Sequence, residues 1–173
     1  MRHIVVLPHD PAWAQAFEDE ARLLRPVFAE NLVEIYHIGS TAIPGIHAKP
    51  VIDILPVVKD IAAVDSLNPQ MEALGYQPKG EYGIAGRRFF MKDMAGVRSH
   101  HVHAFQQGDS EIERHLNFAA YLRAHPEEAQ AYSQLKIELA HQFPHDIDGY
   151  CDGKDELIRA LDEKARQWVR DQA

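Results

Sequence analysis

The residues with the most chemical potential lie in two stretches of the 173-residue sequence. The first runs His37-Ile38-Gly39-Ser40-Thr41-Ala42-Ile43-Pro44-Gly45-Ile46-His47-Ala48-Lys49-Pro50-Val51-Ile52-Asp53-Ile54. Glycine and serine leave no bulk in a turn, so backbone N–H groups at Gly39-Ser40 can approach a phosphate closely. Ser40 and Thr41 add hydroxyl donors, and a short helix starting there would add a favourable dipole. Pro44-Gly45 reads as a tight turn, and Lys49 is a candidate phosphate ligand whose backbone Pro50 holds extended. Asp53 follows Ser40 by 13 residues, inside an apolar run. A carboxylate there needs a cation, hydrogen bonds or a metal. A turn cap or a pair with Lys49 would be structural, whereas a metal would make Asp53 catalytic.

The second stretch holds Arg87-Arg88 and then Arg98-Ser99-His100-His101-Val102-His103. Two guanidiniums at the mouth of a strand suit bidentate phosphate contact, and alternation sends one to the site and the other to solvent. His101 and His103 share one strand face, about 7 Å apart along the strand. Such a pair can bind a metal with a carboxylate, bind an anion when protonated, or simply pack. His37, before the Gly-Ser turn, is a further candidate. So is Lys154, spaced i+4 from Tyr150. His115, His125, His141 and His145 read as surface residues, and Cys151 has no neighbouring His or Asp that would make it a catalytic thiol.

These groups need a scaffold. Ile4 to Leu7 is a short β-like run ended by Pro8. Trp13, Phe17, Leu24 and Phe28 recur at helical spacing, which predicts a helix over 11–30 with a bend at Pro26. Residues 32–38 alternate as a strand. Val51 to Val58 is almost wholly apolar around Asp53, as a buried central strand is. Pro56 lacks a donor and belongs at an edge or near the strand end. Residues 60–74 return to helical spacing until Gly75. Residues 76–105 read as β-structure with turns, with Tyr82, Phe89-Phe90-Met91 and Val102 to Phe105 strand-like. From 110 the period stays helical, opened by a capping box at Ser110 and Glu113. The face of one helix is Ala129, Tyr132, Leu135, Leu139 and Phe143, and that of the last is Leu157, Leu161, Ala165 and Trp168. The expected fold class is α+β, in one domain over 1–173: a mixed sheet core at about 32–105 flanked by helices, and a helical C-terminal part at about 110–171.

Hydrophobic residues make up 46%, enough for a core. No apolar run is long enough to cross a membrane, the N-terminus lacks a signal peptide's length and cleavage site, and one cysteine excludes an internal disulfide. A soluble, reduced, cytoplasmic protein is expected. The formal charge is −8. Residues 1–36 hold three basic and six acidic side chains, 37–105 seven and six, and 106–173 eight and fourteen. The relatively basic middle suits a focused anionic ligand better than a nucleic-acid backbone, so a small phosphorylated ligand or nucleoside triphosphate is expected, and DNA is not.

The motifs resemble the GrpB family, also seen as a domain joined to some bacterial dephospho-CoA kinases. The resemblance runs through Pro11, Trp13 and Phe17, the stretch from His37 to Ile54, Leu74-Gly75-Tyr76, Arg87 to Phe90, His100 to His103, Tyr121-Leu122-Arg123, Tyr132, Leu135-Lys136, and Tyr150 with Lys154. It implies a nucleotidyltransferase-like fold. In such enzymes a Gly-Ser turn precedes an Asp-x-Asp strand, and a third acid completes a two-metal centre that aligns a hydroxyl with a nucleotide phosphate. Gly39, Ser40 and Asp53 match, but the second acidic position is Leu55. The strand where a third acid is sought carries His101 and His103. Phe118-Ala119-Ala120-Tyr121 also departs from the family's usual Phe-Arg-Asp-Tyr.

The implied activity is nucleotidyl or phosphoryl transfer from a nucleoside triphosphate with a divalent metal, Mg²⁺ or Mn²⁺ or a histidine-bound transition metal. Asp53, Lys49 and Arg88 are the catalytic candidates. Gly39, Ser40, Thr41, Lys49, Arg87 and Arg88 would bind phosphate, and Asp53, His101 and His103 the metal. The alternative is a non-catalytic phosphate- or nucleotide-binding accessory protein, for example one linked to CoA metabolism.

Overall fold

The computed structural model describes residues 3–172. They divide into two compact units, a sheet unit formed by Ala12–Ile38 with Val51–Glu113 and a helical unit formed by Met1–Pro11, Gly39–Pro50 and Arg114–Ala173.

The sheet unit opens with α1 (Ala12–Phe28), which buries Trp13, Phe17, Ala21, Leu24 and Phe28. Their spacing of three and four draws one apolar stripe along the helix. That stripe packs on β1 (Leu32–Ile38) and β2 (Ile52–Val58). Then come α2 (Asn68–Ala73), β3 (Tyr76–Pro78), β4 (Arg88–Met94) and β5 (Val97–Gln106). The five strands lie in the order β1-β2-β5-β4-β3. β2 runs parallel to β5, and the other neighbours are antiparallel.

β2 is thus interior, and every residue of it except Asp53 is buried. That is the near-continuous apolar strand its sequence announces. Pro56 lies in this interior strand, two residues before its end. Pairing with β5 skips Leu55 and Pro56, which accommodates the missing donor.

Several local expectations change. The Ile4–Leu7 run makes one isolated bridge, Leu7 to Ala48, because Pro8 removes the donor that would extend the ladder. The 60–74 helix splits into a 3₁₀ stretch (Ala62–Leu67) and α2, with Pro69 in the first turn, where a missing N–H costs nothing. Tyr82 is not in a strand. Its φ of 49° places it in a tight turn before β4. The helix from Ser110 is capped by Asp109, whose Oδ1 accepts from the Glu111 N–H at 2.9 Å.

In the helical unit, α3 (Ser110–Ala124), α4 (Pro126–Gln142) and α5 (Ile147–Asp171) surround the Gly39–Pro50 segment. Ile43 and Ile46 are buried against Ala119, Leu122, Tyr132 and Leu161. A second cluster joins Ile4, Leu139, Ala140 and Tyr150. Asp146 caps α5 by accepting from the Gly149 N–H at 3.0 Å. Among the described residues no helix is long and apolar enough to cross a membrane.

Candidate functional site

Parallel pairing of β2 with β5 sets Asp53 directly opposite His101. Period-two alternation puts His103 on the same face. His103 Nε2 lies 2.9 Å from Asp53 Oδ1, and His101 Nδ1 lies 3.4 Å from the same oxygen.

The outer nitrogens of both rings meet arginines. Arg87 Nη1 donates to His103 Nδ1 at 3.3 Å and Arg98 Nη1 to His101 Nε2 at 3.2 Å. A guanidinium only donates, so each outer nitrogen is the acceptor and each inner N–H points at Asp53. Burial works against a charged Asp53. The hydrogen bonds and charges of His101 and His103 outweigh it and hold the carboxyl well below the usual carboxylate range.

Arg87 is fixed as well as aimed. It is 7% exposed, donates to the carbonyls of Glu81 at 3.1 Å and Tyr82 at 2.8 Å, and lies over the Phe89 ring. Arg88 turns away and forms a bidentate pair with Asp65, at 2.6 and 3.3 Å. Alternation in the sequence implied that one arginine would reach the site, and the structure places Arg87 there. His37 pairs in register with Ile54, so it occupies the opposite face from Asp53, stacked on Phe17 at 5.0 Å.

One oxygen and two nitrogens of Asp53, His101 and His103 lie within 4.8 Å of one another. Ligands about 2.1 Å from one ion sit about 3.0–3.4 Å apart in octahedral or tetrahedral geometry, close to the two separations from Asp53. Two imidazoles and a carboxylate suit one transition-metal ion better than Mg²⁺, which takes oxygen donors. They do not make a two-ion centre, because Leu55, two residues on along the same face, is fully buried and offers no donor. For the imidazoles to serve as ligands, their protons must move to the outer nitrogens. Those would then face guanidiniums that are donors as well, so Arg87 and Arg98 must give way.

The other candidates lie in the helical unit. Gly39 follows β1 with φ 75°, a backbone that favours glycine. Ser40–Ala42 is a single 3₁₀ turn in which Thr41 is buried, so no α-helix begins there. Arg123 donates to the Ala42 carbonyl at 3.2 Å and clamps the turn from α3. Lys49 and Lys154 come together on one ring. Their Nζ atoms lie 5.2 and 4.7 Å from the centre of Tyr150.

A third lysine joins them. Lys136, on α4, is 2% exposed, donates to the His47 carbonyl and lies over the Tyr132 ring at 4.5 Å. Its pKa is pushed down to about 7, first by burial and then by the charges of Lys154 and Lys49. The sequence held a signal for it: Lys136 is i+4 from Tyr132 and i−3 from Leu139, on the apolar face of its helix.

A five-stranded mixed sheet flanked by helices, together with the structures it resembles, places this chain in a nucleotidyltransferase-like class of fold. Solved structures of similar fold include the Cid1 poly(U) polymerase with MgGTP bound, at a TM-score of 0.52 and 12% identity over 76% of this chain and 43% of that one. Within that class the chain belongs to the GrpB family, whose model, described as GrpB protein, matches residues 3–164. The crystal structure of the conserved protein GrpB from Enterococcus faecalis superposes with a TM-score of 0.92 at 41% identity, covering 95% of this chain and 99% of that one. The UPF0157 protein YqkA of Bacillus subtilis is 48% identical over 98% of this chain. The chain spans 49% of YqkA's length and 66% of that of a Pseudomonas aeruginosa UPF0157 protein that it matches at 41% identity. A dephospho-CoA kinase of Mycolicibacterium paratuberculosis is 26% identical over 95% of this chain and 46% of its own length.

Proposed function

We propose that the chain acts on a phosphorylated ligand, a nucleoside triphosphate in the first instance, and transfers a nucleotidyl or phosphoryl group with one divalent ion held by Asp53, His101 and His103. The observation that carries this reading is the convergence of those three donors on one face of β2 and β5. Such an ion supplies Lewis acidity at a phosphoryl oxygen and lowers the pKa of a bound hydroxyl. Asp53, held charged, is the anionic ligand and orients both imidazoles. Arg87, which must leave His103 once that ring turns its proton to the outer nitrogen, would supply positive charge where phosphoryl oxygens gain negative charge. In the helical unit, Gly39, Ser40, Thr41 and Lys49 are separately proposed as phosphate binders from their types and spacing.

Leu55 favours a second reading, in which the same residues bind a phosphorylated ligand without chemistry. Under it the protein is an accessory to another enzyme, and the resemblance to a segment of mycobacterial dephospho-CoA kinase makes CoA metabolism the setting to test first.

Calorimetric titration separates the two. ATP, GTP, CTP and UTP are added with Mg²⁺, Mn²⁺, Zn²⁺ or chelator to the wild type and to Asp53→Asn. Group transfer requires ion-dependent nucleotide binding that Asp53→Asn weakens by about tenfold or more. Nucleotide binding that survives both chelator and Asp53→Asn leaves the accessory reading.

A further inference from the structure

The turn that precedes Arg87 carries an exposed aromatic ring. Tyr82 is 56% exposed, and its φ of 49° lies in the left-handed region that a bulky side chain rarely adopts. Its neighbour Gly83 adopts a φ of 92° without steric cost, whereas a tyrosine is strained in such a backbone. Strained positions of this kind gather at ligand sites. The turn is nonetheless firmly tied. The Glu81 carboxylate accepts from the Gly86 N–H at 2.6 Å. Arg87 donates through Nε to the Glu81 carbonyl and through Nη2 to the Tyr82 carbonyl, which leaves Nη1 for His103.

The ring also has a definite place in the sheet unit. It stacks on Phe89, with ring centres 5.2 Å apart and planes 14° apart. Phe89 in turn lies 5.0 Å from the His103 ring and 5.2 Å from the His101 ring, because β4 sets Phe89 opposite His103. Tyr82 therefore extends the face that carries Asp53, one aromatic ring removed from the histidines. The sugar and phosphate chain of a single nucleotide covers that distance.

We propose that Tyr82 is the platform on which the base of a nucleotide stacks while its phosphates face Asp53, His101 and His103. The inference rests on the nucleotide reading given above and names the residue that meets the base. Stacking asks only for a flat π face, so the ligand class is a nucleotide of any base rather than a bare polyphosphate. Phe89 orders the Tyr82 ring before a ligand arrives, so less side-chain freedom is lost on binding.

The test is calorimetry of the full chain with ATP and with tripolyphosphate, each in Mn²⁺ and in chelator. Wild type should bind ATP more tightly than tripolyphosphate. Tyr82→Gly removes the ring and suits the backbone of the turn, so the fold is kept. It should reduce the preference for ATP by about fivefold or more, and Tyr82→Phe should retain it. In Tyr82→Trp, fluorescence measured against wild type should be quenched by ATP and not by tripolyphosphate. A tyrosine that only packs on Phe89 would give no such response.

Equal affinity of wild type for the two probes, a preference for ATP untouched in Tyr82→Gly, or binding of neither probe overturns the platform. After either of the first two results, ion-dependent ATP binding that Asp53→Asn weakens leaves the transfer reading standing alone. A Tyr82-dependent preference for ATP that persists in chelator and in Asp53→Asn supports the platform where the transfer reading has failed.

Discussion

The two charged clusters of this protein are built on opposite principles. In the sheet unit, carboxylates meet their donors: Lys92 meets Glu20 at 2.8 Å, Arg98 meets Asp93 at 2.6 Å, Arg88 meets Asp65 at 2.6 Å, and the His103 N–H points at Asp53 at 2.9 Å. In the helical unit, Lys136 meets a carbonyl and two like charges. The first cluster is electrostatically complete, and a ligand must displace something to enter. In the second, burial and two like charges press on one amine. Satisfied networks confer rigidity, whereas a buried amine beside like charges lowers the stability of the ligand-free fold.

Removing a carboxylate from the complete network should produce the largest effect. Glu20 is buried and serves Tyr76, Lys92 and His100 at once. Glu20→Ala should cost about 3–5 kcal/mol in urea unfolding, because Lys92 is left partly buried without its counter-charge.

The opposite sign is expected in the helical unit. Lys136→Met should stabilise the ligand-free protein by about 1–3 kcal/mol at pH 6. The amine's folded pKa of about 7 lies below its ordinary value of 10.5, so the unfolded chain binds more protons between those values. Wild-type stability therefore rises with pH from about 7 towards 10.5, and the advantage of Lys136→Met shrinks across that window. Urea unfolding at pH 6 and pH 9.5 checks both statements. A variant less stable than wild type at pH 6 would show the cluster to be as complete as the other.

Smaller effects sharpen the contrast. Tyr76→Phe removes one donor from buried Glu20 and should cost about 1–2 kcal/mol by the same measurement. Arg123→Ala releases the clamp on Ala42 from an exposed position and should cost about 0.5 kcal/mol.

Much of this was legible in the sequence where periodicity speaks. The apolar run of β2 announced an interior strand, and the spacing of His101 and His103 placed both on one face. That Asp53 lies opposite His101 was not legible, since register is a property of two strands. Alternation implied that Arg87 and Arg88 would part, but which one turned inward depended on the tight turn at Tyr82, whose φ of 49° a tyrosine rarely adopts. Lys136 carried a signal in its place on the apolar face of its helix, but a lysine there also reads as an interruption of the stripe, so position alone did not show that it is buried. Asp109 and Ser110 both suit a cap, and only the backbone trace separates them.

The pairing of Asp53 with His101 carries a consequence for how such a site can be lost. Strand geometry repeats every two residues, so a shift of β5 against β2 by a single position would send His101 and His103 to the opposite face while leaving every side chain in the sequence. The chemistry of the cluster is therefore encoded partly in residues that never touch it. Val102, Ala104 and Phe105, buried along β5, act as the index marks that keep two strands in phase.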